Sequence, residues 1–172
     1  MSDLGDDITQ AAAPSFDQAR FRQIMGHFCT GVTIVTATDG DEPVGLTAQS
    51  FTSLSLDPPL ILFCPGLSSS TWPRIKAAGS FCVNILGEQQ EAVCRAFAVS
   101  GADKFSDVSW TPSDVTGAPV LDDVLAWVDC TLEAEHDGGD HIIVVGRVVD
   151  LSLEQEGKPL LFYRGGFGTF DA

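Results

Sequence analysis

Positive charge is scarce in this sequence. Lys and Arg number 9 against 24 Asp and Glu, a formal net charge of −15 over 172 residues. Nucleic-acid binding rests on neutralising phosphates with basic side chains, so this balance argues against it. It argues equally against an anionic membrane surface. No apolar run approaches the roughly eighteen residues of a membrane span. The start, MSDLGDD, is acidic where a secretory leader would be basic. Neither G-x-G-x-x-G nor a P-loop nor G-x-S-x-G occurs, which counts against a Rossmann site, an NTPase and a nucleophile elbow. The five cysteines (Cys29, Cys64, Cys82, Cys94, Cys130) form no C-x-x-C pair and mostly sit in apolar runs such as LILFC and FCVNIL. They read as buried free thiols in a reducing cytoplasm. Three histidines, His27, His136 and His141, are scattered. The last two flank DGGD on a glycine turn rather than one helix face, so no metal site is expected.

What remains is a globular composition with 44% hydrophobic residues. It implies one domain over residues 15–172 behind an acidic tail, residues 1–14, read as disordered. Ser15 with Gln18 reads as a capping box. The spacing of Phe21, Ile24, Met25 and Phe28 predicts a helix with one buried stripe, ended by Gly31. Strands are expected at 32–38, 44–51, 60–64, 81–86, 124–134, 141–153 and from 159. A short helix follows SSST and closes at Gly79. Another spans 88–98, with Ala92, Val93, Ala96 and Phe97 on one face. Residues 99–118 read as a long loop. Along 124–134, Val128, Cys130 and Leu132 alternate with Trp127, Asp129 and Thr131. Strands succeed one another without helical crossovers, which favours an antiparallel barrel with peripheral helices.

Two segments carry chemistry. GLTAQSFTSLSLDPP (45–59) crowds neutral hydroxyls and an amide onto a strand-like run, although strand interiors favour β-branched and aromatic residues. SSST (68–71) sets four hydroxyls at a helix entrance, where a plain N-cap needs one. Such an entrance favours an anion. Together they suit a flat heterocycle with a phosphate tail, and a flavin has both parts.

The ordered set FRQIMGHFCTGVTIVT, GLTAQSFTSLSLDPPLILFC, SSSTW, SFCVNIL, DKF, GGDH and PLLFYRGGF resembles the short-chain flavin reductases, the reductase components of two-component flavin-dependent monooxygenases. That resemblance implies a mainly β fold, an antiparallel split β-barrel of Greek-key type that binds flavin, with peripheral helices. It implies a homodimer that uses NADH to reduce FMN or FAD and releases reduced flavin to a separate oxygenase. Carried over by residue, Thr47, Ala48, Gln49 and Ser50 would line the isoalloxazine, and Ser53, Leu54 and Ser55 would continue that wall. Ser68, Ser69, Ser70 and Thr71 would hold the phosphate end. Phe81 and Asn84 would lie near the flavin, and Lys104 and Phe105 would close over the site or reach it from the partner subunit. His141 would position the nicotinamide, with Tyr163 near that pocket. Some relatives carry a base before the phosphate-binding helix; here the first base is Arg74. Two other readings stay open: a non-catalytic flavin-holding or electron-transfer protein on the same barrel, and an interaction module without flavin.

Overall fold

The computed structural model describes residues 15–101 and 103–170; the tail assigned to residues 1–14 lies outside them. Helix α1 (Gln18–Met25) leads into strands β1 (Thr30–Gly31), β2 (Thr33–Asp39), β3 (Glu42–Ala48), β4 (Thr52–Leu56) and β5 (Pro59–Phe63). Helix α2 (Trp72–Ala78), β6 (Ser80–Ile85) and α3 (Glu91–Ala98) follow. The chain continues with β7 (Trp110–Pro112), β8 (Pro119–Leu121), β9 (Ala126–Gly138), β10 (His141–Leu153), β11 (Leu161–Tyr163) and β12 (Gly166–Gly168). Among the described residues the fold is mainly β with three α-helices.

Seven strands form one sheet in the order β3-β2-β6-β9-β10-β5-β4. Every neighbouring pair is antiparallel. The edge strands β3 and β4 are consecutive in the chain, joined only by residues 49–51. Three linking residues span at most about 14 Å. The sheet therefore curls through its own twist until its two edges approach, although no ladder joins them. A Cβ on Gly146 would meet the Phe81 ring at 2.6 Å, so the tight interior of the curl requires glycine there.

Strand β2 is buried on both faces. Val35 and Ala37 join one core with Phe63, Trp72 and Phe81; Ile34 joins a second with Leu86, Phe97 and Leu121. Its buried hydroxyls find carbonyls: Thr33 donates to Ala48 and Thr36 to Pro119. Two sequence expectations give way. Asp129 on β9 is fully buried and accepts hydrogen bonds from Ser113 Oγ (2.7 Å) and Thr116 Oγ1 (2.6 Å). The segment read as a loop folds back as the β7–β8 hairpin and covers that face. On α3 the inward residues are Cys94 and Phe97, while Ala92 and Ala96 are exposed.

The α1 stripe is also corrected. The helix forms, capped by Asp17 rather than Ser15 and closed at Gly26 rather than Gly31. Its apolar side is open: Phe21, Ile24, Met25 and Phe28 are 53–73% exposed. The spacing is that of a buried face, but nothing among the described residues covers it.

Candidate functional site

The curl brings four pieces of chain around one cavity of about 520 Å³. The end of β3 and the link after it contribute Leu46, Thr47, Ala48, Gln49 and Ser50. The loop after β5 contributes Cys64, Pro65, Gly66, Ser68, Ser69, Ser70 and Thr71. Phe97, Ala98, Ser100 and Lys104 close one side, and His141, the first residue of β10, closes another. The Ser50 hydroxyl accepts from Cys64 N at 2.8 Å and so ties the link to the chain leaving β5.

SSST is more than a cap. Only Ser69 serves α2, its Oγ accepting from Trp72 N at 3.1 Å, and Thr71 makes no side-chain cap bond. Ser68, Ser70 and Thr71 thus line the cavity with hydroxyls that no other described group occupies. At seven residues α2 is too short to lend much dipole, so hydroxyls and loop amides are the donors on offer. Along the β3 wall, Thr47 Oγ1 donates to the Cys94 carbonyl at 3.0 Å, while Gln49 is exposed and its amide is left to solvent or ligand.

Lys104 is the one cation on this lining. Its ammonium donates to the carbonyls of Gly45 (2.9 Å) and Phe97 (3.0 Å), which pins the loop across α3. Burial pulls its pKa below the ordinary lysine value. At the opposite side, His141 Nδ1 bonds Asp140 Oδ1 at 2.7 Å. That contact fixes the ring and leaves Nε2 for the cavity. The bond to His141 also holds the Asp140 carboxyl below the usual range. The Pro65 carbonyl accepts from Ile142 N and the Asp140 carbonyl from Leu67 N, so the His141 turn and the serine loop are one unit.

Not every residue carried over from the resemblance lies here. Phe105 packs on Phe97, with ring centroids 4.9 Å apart, and lines an adjoining cavity. Ser53, Leu54 and Ser55 lie on the edge strand β4, outside this lining. Phe81 is fully buried against Phe63. Asn84, also buried, donates to Ile34 O and Thr36 Oγ1 and accepts from Leu121 N. Both are used as scaffold in the single chain. Tyr163 stands edge-on to His27 at 6.2 Å, beside a separate apolar cavity of about 450 Å³ with Cys29 and Phe167. Sequence reading missed Asp140, Gly66 and Ser100. Asp140 was visible inside GGDH, whereas Ser100 had no signal.

The family model described as a flavin reductase like domain matches residues 25–171. This chain belongs to that family. It is 51% identical over 156 residues to the flavin-dependent monooxygenase reductase subunit HsaB of Rhodococcus jostii, covering 91% of this chain and 80% of that protein. A flavin reductase of Pseudomonas putida is 46% identical over the whole of this chain and 99% of its own. Among solved structures, the Streptomyces globisporus NADH:FAD oxidoreductase in complex with NAD and FAD fragments matches with a TM-score of 0.85 and 38% identity, covering 90% of this chain and 93% of that one. In this flavin reductase-like domain, the cavity at the meeting sheet edges is therefore the candidate active site. Among the described residues no three His, Cys, Asp or Glu converge as a metal site. No helix among them is long and apolar enough to cross a membrane.

Proposed function

We propose that the protein is an NADH-dependent flavin reductase that reduces FMN or FAD and passes the reduced flavin to a separate oxygenase. The observation that carries this is the cavity's lining: neutral hydroxyls and an amide on one wall, three free hydroxyls at one end, and a fixed histidine opposite. Its volume of about 520 Å³ lies in the range of small-molecule sites. The residues fit a flavin: Leu46, Ala48 and Phe97 supply apolar surface, Gln49 and Ser50 polar groups for a ring edge, and Ser68, Ser70 and Thr71 donors for a phosphate.

Bound flavin supplies the hydride-accepting chemistry, and the protein supplies orientation. No side-chain acid or nucleophile is needed, so rate comes from holding two rings together and excluding water. The β3 wall and its link carry no charge. A fixed charge there would bind one redox state too tightly for release. His141, steadied by Asp140, positions the nicotinamide, with Nε2 as its free hydrogen-bonding atom.

Four further features complete the reading. The curled sheet is a split barrel of Greek-key type carrying a single domain over residues 15–172. The open stripe of Phe21, Ile24, Met25 and Phe28 is covered by a second copy in a homodimer. Phe81, Asn84, Ser53, Leu54, Ser55 and Tyr163 act toward flavin or nicotinamide only through that assembly or through the scaffold. Five free cysteines suit the reducing cytoplasm. The test is NADH consumption by the purified protein with FMN, with FAD and without flavin. Saturable consumption that requires flavin is expected; none with either flavin overturns the proposal.

A further inference from the structure

A second cavity of about 530 Å³ abuts the first. The two share Ser70, Thr71 and Lys104 as a common wall. Beyond that wall the second is lined by Glu42, Asp103, Arg74 and Phe105 among others. A flavin mononucleotide placed in the first cavity, with its phosphate at the serine hydroxyls, leaves the second one empty.

The charges beyond the wall decide what the second cavity takes. Arg74 is not a free anion grip: its Nε meets Asp39 Oδ2 at 2.6 Å and its Nη2 meets Glu42 Oε2 at 2.7 Å. Those contacts neutralise it and hold its guanidinium plane in place. Asp103 adds a further carboxylate on the same lining. A second phosphate gains little there, whereas a neutral heterocycle gains an edge rich in hydrogen-bonding groups and a fixed guanidinium to stack on. The shared wall is the opposite. It has two hydroxyls without partners among the described residues and an ammonium with one of its three hydrogens unassigned there after Gly45 and Phe97. The linear order is therefore a neutral polar site, an anion-suited divide and a second polar site whose carboxylates, Glu42 and Asp103, outnumber its one guanidinium.

We infer that the second cavity receives the adenosine half of a flavin dinucleotide, making FAD the preferred flavin and Arg74 a specificity-determining residue. The inference rests on the flavin reading of the first cavity. An adenosine could also come from NADH. FAD is favoured because the second cavity opens across the wall assigned to the flavin's phosphate end, whereas His141, assigned to the nicotinamide, lines only the first.

The test is equilibrium binding of FMN and FAD to the purified full chain, followed by flavin fluorescence. FAD is expected to bind more tightly than FMN. Arg74→Ala is expected to weaken FAD by roughly five- to tenfold and to leave FMN unchanged. Arg74→Lys, which keeps the charge and loses the planar fork, should also weaken FAD selectively. Free adenosine should displace FAD and not FMN. Equal affinity for the two flavins, or an Arg74→Ala loss shared by both, overturns the inference while leaving the reductase reading intact. Adenosine competing with NADH but not with FAD assigns the cavity to the donor and also overturns it. No saturable binding of either flavin removes the reductase reading, and the inference with it.

Discussion

Replacing Gly45 by alanine tests how the site wall is held. A Cβ at that position would lie 2.6 Å and 2.9 Å from two carbons of the Phe97 ring and 3.2 Å from the Val35 carbonyl oxygen. Carbon atoms settle at about 3.5–4.0 Å, so the ring must retreat by about 1 Å. It has little room, being 1% exposed and packed on Phe105. Overpacking of this kind costs about 1–3 kcal/mol. In a chain of this size that is a fall in Tm of about 3–10 °C. Gly31→Ala is the matched control, because nothing lies within 4 Å of its added methyl, and it should move Tm by no more than about 1–2 °C. Calorimetry reads both. Since the carbonyls of Gly45 and Phe97 hold Lys104, flavin affinity should fall in Gly45→Ala as well. If Gly45→Ala melts with Gly31→Ala and binds flavin normally, the α3–β3 seam does not set the cavity wall.

Other consequences are open to simpler assays. Ser70→Ala with Thr71→Ala should weaken flavin binding and leave the melting temperature nearly unchanged, because neither hydroxyl has a partner among the described residues. His141→Ala should raise KM for NADH more than it lowers affinity for flavin; unchanged kinetics would remove it from the donor site. Ser50→Ala breaks the bond to Cys64 N and should cost about 0.5–1.5 kcal/mol in denaturant unfolding. Burial pushes the Cys130 thiol up to about 12 and raises Cys82 further. Above pH 9 the unfolded chain loses those protons while the native one keeps them. Stability is therefore full below that pH and should decline between about pH 9 and 12. In the native state a thiol reagent should label the exposed Cys29 well before Cys82 or Cys130.

Much of this was legible in the residues. The β10 boundaries follow from the turn at DGGD and the long apolar run after it, and α2 from its SSST entrance and Gly79. The cavity-lining hydroxyls stood out because serine is a poor strand interior. Other features were illegible because they are set by distant parts of the chain. The burial of Asp129 depends on the β7–β8 hairpin, drawn from a loop-like sequence, which folds over it. Asn84 sits within SFCVNIL, one of the segments that carry the family resemblance, yet its hydrogen bonds run inward to Ile34, Thr36 and Leu121. The α1 stripe has the periodicity of a core face, and periodicity says only that a face is apolar, not whether the same chain covers it. The second cavity has no linear signature, since Glu42, Arg74 and Asp103 come from three separate segments.

Release of reduced flavin from this protein is what would supply a separate oxygenase. Its most direct test is an anaerobic two-chamber cell. The protein and NADH occupy one side, cytochrome c the other, and the membrane between them passes flavin but not protein. Cytochrome c reduction that requires the protein, NADH and added flavin together is the expected result. NADH oxidised only to the extent of flavin bound to the protein, with cytochrome c left oxidised, would contradict it and mark a protein that holds its flavin.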